Sequence, residues 1–240
     1  MRARSGLTRN YDPAMASADA SLIPARRASN AGLTLYLASR SPRRRLLLSE
    51  RGFAHEVIDA GVDDGQLSMG SVSPDQWVLS LSYLKARGGW ERLDPSLHPT
   101  AAVLGADTVV VKGDRVIGQP RDAADARRII GLLENGEHRV VTGVTILTPP
   151  EAGAVAGDLV PTEHMLVDAA DVRVGAIGPQ SVHKYIESGD WRGKAGAYNL
   201  SERLEAGWPI SFVGDPGTIM GLPMRRLEPL LNEVLGCSRP

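Results

Sequence analysis

Apolar and polar positions fall into short, regular blocks from Leu33 onward. Leu33-Thr34-Leu35-Tyr36-Leu37 reads as a short buried strand bounded by Ala38-Ser39. A helix follows at once: Ser41 suits the N-cap, Pro42 the first helical position, Leu46, Leu47 and Leu48 an apolar face, and Gly52 the C-terminal stop. Phe53 to Ile58 reads as a second strand, and a polar loop with Asp63-Asp64 comes after it. Ser73, Pro74 and Gln76 form a capping-box start for a helix that runs to about Arg87, with Val78 and Leu81 on its apolar face.

The segment from Ala101 to Val111 is almost continuously apolar, interrupted by Asp107-Thr108, and Lys112-Gly113-Asp114 turns it into Arg115-Val116-Ile117 as a hairpin. Asp122 and Asp125 open a third helix, Ala126, Ile129, Ile130 and Leu133 share one face of it, and Gly136 ends it. Val140 to Leu147 is a strand, and residues 148–164, rich in Pro, Gly and Ala, read as an inserted surface loop. A strand near 166–174, a helix near 179–188, a glycine-rich stretch from Gly189 to Tyr198, a strand at 210–213 and a helix after Pro223 complete the chain. This mixture predicts an α/β fold in which helices flank a sheet that is not purely parallel.

Length and composition narrow the class. The 240 residues suit one large domain or two small ones, and 42% apolar against 23% charged excludes disorder of the whole chain. Lys and Arg number 27 against 28 Asp and Glu, a net charge of −1 that argues against coating a nucleic acid or an anionic membrane. The balance is uneven, however. Residues 1–30 hold five arginines, two aspartates and no lysine, a local +3 that leaves −4 for the rest. The reading of this segment is a disordered extension, with Met15 as an alternative start, rather than a targeting signal, because it lacks a hydrophobic core and carries Asp12 and Asp19. Cys237 is the single cysteine and no Cys/His spacing suits zinc, so a cytoplasmic setting is expected. No run of about 18 apolar residues exists to cross a membrane.

Candidate chemistry concentrates in a few places. Ser39-Arg40-Ser41-Pro42-Arg43-Arg44-Arg45 puts three arginines into the first turn of a helix, where the macrodipole and unpaired N–H groups already favour an anion. Either solvent screens them or the helix start is a polyphosphate site. Asp107 inside an apolar strand must face a cleft, a metal or a cation, unless the strand ends early and Asp107 caps a turn. Lys85 lies at the edge of an apolar helix face, where lysines often snorkel to water. Gly193 to Tyr198 is either a ligand-approaching loop around Lys194 or a plain turn. His138 reads as packed rather than catalytic. P-loop, dinucleotide, zinc-protease and nucleophile-elbow templates are all missing.

In order along the chain, these segments resemble the Maf family of nucleoside triphosphate pyrophosphatases. Residues Leu37 to Arg44 match its L-A-S-x-S-P-R-R signature, Lys85-Ala86 its lysine-alanine pair, and Gly105 to Val110 its G-A-D-T-V-V strand. His138 through Gly143-Val144 matches H-x-V-x-T-G-V, Lys194 to Tyr198 matches K-A-G-A-Y, and Gly221-Leu222-Pro223 closes a likeness that spans Leu33 to Leu235. The resemblance implies a mixed sheet with two lobes around a cleft, related to inosine triphosphate pyrophosphatases, and usually a homodimer. It further implies cleavage of a nucleoside triphosphate to monophosphate and pyrophosphate with a divalent cation, Mg²⁺ or Mn²⁺, and the motif variants look like the dTTP/UTP branch. On that scheme Asp107 activates the attacking water and, with Asp64, holds the metal. Ser39, Ser41, Arg43, Arg44, Lys85, Gln119, Lys194 and Ser201 bind substrate, and residues 31–240 form the catalytic domain.

Three departures from the family pattern stand out. Asp63-Asp64 replaces Asp-Glu, Gly118-Gln119-Pro120 replaces G-K-P, and Asn199-Leu200-Ser201-Glu202 replaces G-I-Q-G. The expectation is an active enzyme with altered preference or lowered rate. The alternative is a nucleotide-binding regulator of cell division with little turnover.

Overall fold

The computed structural model describes residues 32–63, 67–150 and 160–236. Its centre is the apolar run identified above, which forms strand β3, Ala101–Lys112. Two further long strands, β5 (Gly136–Thr148) and β6 (Thr162–Val174), pair antiparallel beside it. Short strands complete a seven-stranded sheet: β1 (Thr34–Leu37) runs parallel to β3 and to β2 (Glu56–Val57), β4 (Arg115–Ile117) closes the hairpin on β3, and β7 (Ile210–Val213) edges β6. The path through the sheet is β2-β1-β3-β5-β6-β7, with β4 beside β3.

Alternation along the strands sends one set of side chains to each face. On one face Leu104, Ala106, Val144 and Ile146 pack under helices α1 (Pro42–Glu50) and α7 (Met224–Val234), through Leu47, Leu48, Leu227 and Leu231. Farther along the same face Val110, Val140 and Val172 pack under α3 (Ala123–Leu133) and α4 (Pro179–Ser188). Thr108 and Thr142 stand between these two apolar clusters, bonded to each other at 2.9 Å. Thr142 also donates to the Thr218 carbonyl at 2.8 Å, in helix α6 (Pro216–Met220). A polar seam therefore divides this face.

The opposite face carries α2, Pro74–Arg92, whose Ser73–Gln76 capping box is present as expected. Glycines let it lie directly on the sheet. A Cβ on Gly105 would meet the Ser82 carbonyl oxygen at 2.3 Å and the Ala86 nitrogen at 2.4 Å, and one on Gly143 would meet the Val78 backbone at 2.6 Å. The helix continues past Arg87 for the same reason, since Gly88 and Gly89 bring it against Ala60 and Ala38. Gly propensity alone would have stopped it.

Several expectations change. Leu46 is exposed, and the buried face of α1 consists of Arg44, Leu47 and Leu48. The second strand shrinks to two residues. Asn135, at φ 52°, makes the turn after α3, and Gly136 begins β5 instead. The loop expected at 148–164 narrows because Thr148 pairs with Thr162 and Ile146 with His164. Residues 151–159 of it, like the N-terminal extension 1–30, Asp64 and Cys237, lie outside the described residues. Helices α5 (Leu200–Glu205) and α6 were not foreseen, although Asn199 and Asp215 cap them in ordinary fashion. No helix among the described residues is long and apolar enough to cross a membrane.

The close approach of α2 can be tested by unfolding in urea. Gly105→Ala should lose roughly 1–3 kcal/mol, because the neighbouring atoms are backbone and cannot rotate away. Gly131→Ala, on open α3 surface with nothing within 4 Å, should be neutral or gain up to about 1 kcal/mol.

Candidate active site

β3 is paired along one edge by β5 from Val103 to Val111. On its other edge β1 accompanies only Ala101 to Leu104 and β4 only Val110 to Lys112. Residues 105–109 therefore have an open edge, and a cleft wraps around it. Because the edge is open, residues from both faces of the strand reach the same space: Asp107 from the α2 side and Thr108 from the α1 side line it together. The cleft has a volume of about 90 Å³ and opens to solvent.

Arg44 fills part of the gap. Its Nη1 donates to the Ala106 carbonyl at 2.8 Å and to Ser39 Oγ at 3.1 Å, its Nη2 donates to Thr108 Oγ1 at 3.1 Å, and its Nε donates to the Gly221 carbonyl at 3.0 Å. Arg44 and Ser39, both expected to touch substrate, thus brace the protein, and of the two Arg44 also lines the cleft while Ser39 does not. Arg43, one residue earlier, lines the cleft half-buried, with no hydrogen bond or ion pair among the described residues. Burial pushes its guanidinium below the ordinary value, while the charges of Glu202 and then Tyr185 pull it back up. Ser41 makes no side-chain cap bond and its residue lines the cleft beside Arg43. The start of α1 therefore offers what an anion requires: a positive helix end, a hydroxyl and a forked cation.

Across the cleft Lys85 Nζ donates to Asp107 Oδ1 at 2.6 Å, with both side chains largely withdrawn from solvent. Asp107 is the acid buried in the apolar strand, and α2 supplies its cation through the glycine contact described above. Asp107 Oδ2 has no hydrogen-bond partner among the described residues, nor is it sealed from solvent. Gln119 sits exposed at the lip, just beyond β4. Tyr198, Val110, Val140 and Ile219 add an apolar wall that was not anticipated in the sequence.

Two expected residues fall elsewhere. Lys194 is buried against Glu202, and Ser201 bonds the Asn199 carboxamide oxygen at the start of α5; neither lines the cleft. Glu202 was overlooked, though Asn199-Leu200-Ser201-Glu202 carries the spacing of a capping box. Behind Tyr198, His138 Nε2 meets its hydroxyl at 2.8 Å.

Whether the residues suit a divalent cation can be judged from the acids present. The described residues contain no group of three or more His, Cys, Asp or Glu able to hold an ion by themselves. Asp107 is the one acid among the described residues that line the cleft. One carboxylate together with substrate phosphates is the manner in which Mg²⁺ is often bound, so the site fits an ion that arrives with its substrate.

A family model described as Maf-like protein matches residues 34–234. The chain is 35% identical over 203 residues to the dTTP/UTP pyrophosphatase of Ralstonia nicotianae, covering 83% of this chain and 93% of that protein. Identity to the dTTP/UTP pyrophosphatase of Cupriavidus metallidurans is 36%, over 83% and 96% of the two chains. The Vibrio cholerae dTTP/UTP pyrophosphatase is 32% identical, over 83% and 97%.

His138 supplies a pH test of the cleft wall. Burial, helped by the charge of Lys112, lowers its pKa from 6.5 to about 4, and its Nδ1 has no partner among the described residues, so protonation would bury an unpaired donor. The unfolded chain then binds more protons between those values, and stability falls as pH drops from 6.5 towards 4. His138 should contribute a loss of about 2 kcal/mol between pH 7 and pH 5. Urea unfolding at both pH values should show that loss in the wild type and a correspondingly smaller one in His138→Gln.

Proposed function

The chain belongs to the Maf-like protein family, and on that premise we propose that it hydrolyses nucleoside triphosphates, dTTP and UTP or related pyrimidine nucleotides, to the monophosphate and pyrophosphate. The observation that carries this reading is the convergence, on one open strand edge, of the Lys85–Asp107 pair and the Arg43 end of α1. A degenerate binder is not favoured, because the acid, its cation and the anion-facing helix end stand together in one cleft.

The residues divide the work by position. Arg43, the Ser41 hydroxyl and the first amides of α1 face the phosphates and hold them at the open edge. Lys85 fixes the Asp107 carboxylate through Oδ1, which leaves Oδ2 to accept a proton from a water molecule. As that water's oxygen bonds to phosphorus the α–β anhydride bond breaks, pyrophosphate leaves with the electron pair, and the proton resides on Asp107. No covalent enzyme intermediate is required. Asp107 would hold a Mg²⁺ or Mn²⁺ ion, with Asp64 as the second ligand proposed. Such an ion, when bound, neutralises phosphate charge and polarises phosphoryl oxygens. The apolar wall of Val110, Val140, Tyr198 and Ile219 is placed to take the nucleoside, with Gln119 at the lip. The proposal includes a homodimer working in the cytoplasm, with residues 31–240 as its catalytic domain; the site geometry requires neither the dimer nor the compartment.

Purified protein with Mg²⁺ or Mn²⁺ should release pyrophosphate from dTTP or UTP, followed by a coupled phosphate assay. Asp107→Asn keeps the shape and removes the base, so kcat should fall by roughly 10²- to 10⁴-fold. An undiminished Asp107→Asn enzyme would sink the assigned role.

A further inference from the structure

Lys194 is a buried cation between two residues that line the cleft, Gly193 and Ala195. Its ammonium nevertheless pairs with Glu202, in the first turn of α5. Glu202 makes that contact through Oε2, while Oε1 accepts from Asn199 Nδ2 at 2.8 Å. Both carboxylate oxygens are thereby tied in place. The same carboxylate acts electrostatically on Arg43 of α1, as the foremost charge supporting that half-buried guanidinium. An acid thus backs the side of the cleft from which the phosphates would be held. Partly buried charges are screened much less than exposed ones, so this acid is felt in the cleft.

We propose that Glu202 is the internal counter-charge of the phosphate wall: it cancels Lys194 and offsets part of Arg43, holding the affinity for polyphosphate below what the cations alone would reach. The inference rests on the reading that this cleft binds a triphosphate. Its functional sense is in product release. A wall of uncompensated cations would retain pyrophosphate as firmly as it captures substrate, and product release would then limit turnover. Because Glu202 neutralises Lys194 as a pair, removing the pair together leaves the charge of the wall unchanged, and removing the acid alone raises it by one.

Calorimetric titration of the full chain with inorganic tripolyphosphate at low ionic strength distinguishes these cases. Glu202→Gln should bind roughly fivefold more tightly than wild type, with the gain shrinking in high salt, as one added unit of charge behind the wall would produce. Inhibition of turnover by pyrophosphate should strengthen in the same ratio. The double variant K194M/E202Q, which leaves no unpaired buried lysine, should stay within about twofold of wild type. Unchanged or weaker binding by a folded Glu202→Gln would overturn the proposal, and so would a large loss in the double variant, which would make Lys194 a phosphate ligand. A wild-type protein that neither binds tripolyphosphate nor cleaves a nucleoside triphosphate would overturn the functional reading itself, a result distinct from either.

Discussion

Arg44 carries a positive charge into the place where the central strand has no neighbour on one edge. A buried guanidinium without acceptors would cost several kcal/mol. Its bonds run to the Ala106 carbonyl and Thr108 hydroxyl on β3, the Ser39 hydroxyl before α1 and the Gly221 carbonyl after α6. Those contacts join three separate parts of the chain across the polar seam. Gly221 is required at its corner: its φ is 108°, and a Cβ there would stand 3.0 Å from Arg44 Nε. With Arg44 held in this way, the start of α1 has one orientation, and Arg43 is directed to the cleft rather than to solvent. Arg44, tied by hydrogen bonds to three parts of the chain, and Arg43, with none among the described residues, are neighbours in opposite environments.

This division explains what could be read from the sequence and what could not. The strand β3, the hairpin after it, the capped starts of α2 and α3 and the exceptional position of Asp107 all follow from local pattern, and the structure has them. The motif Ser39 to Arg45 lies at the candidate cleft, where Ser41, Arg43 and Arg44 are among the lining residues. It could not show that Arg44 is tied into the fold while Arg43 is not, because that depends on Ala106, Thr108 and Gly221, up to 177 residues away. Lys85 was ambiguous for a similar reason. Its pairing with Asp107 depends on Gly105 and Gly143 admitting α2 to within backbone contact of the sheet, and sequence spacing does not encode that helix-to-sheet distance. Leu46 misled because an apolar residue at helical spacing need not be buried.

The helices overlooked near the end of the chain, α5 and α6, are short, and an isolated short helix has too little propensity to announce itself. Their caps were present as signals: Asn199 with Glu202 three positions on, and Asp215 before Pro216. Glycine-rich neighbours hid them, since a stretch that reads as loop invites no search for caps. The omission mattered for function, because α5 is what places Glu202 beside Lys194.

A chain with net charge −1 can still present a polyanion site, provided its charges are compensated unequally. Arg44 is answered by carbonyls and hydroxyls, Lys85 by Asp107, and Lys194 by Glu202. Arg43 makes no hydrogen bond or ion pair among the described residues and stands at a hydroxyl-bearing helix end, with Glu202 acting on it through charge alone, so an incoming phosphate gains most at that residue. Gln119 at the lip, where the family pattern has lysine, and Glu202, where it has glycine, both shift the balance in the same direction, towards a less positive cleft. Gln119 acts at the cleft itself, and Glu202 acts from behind its lining, through the pair with Lys194.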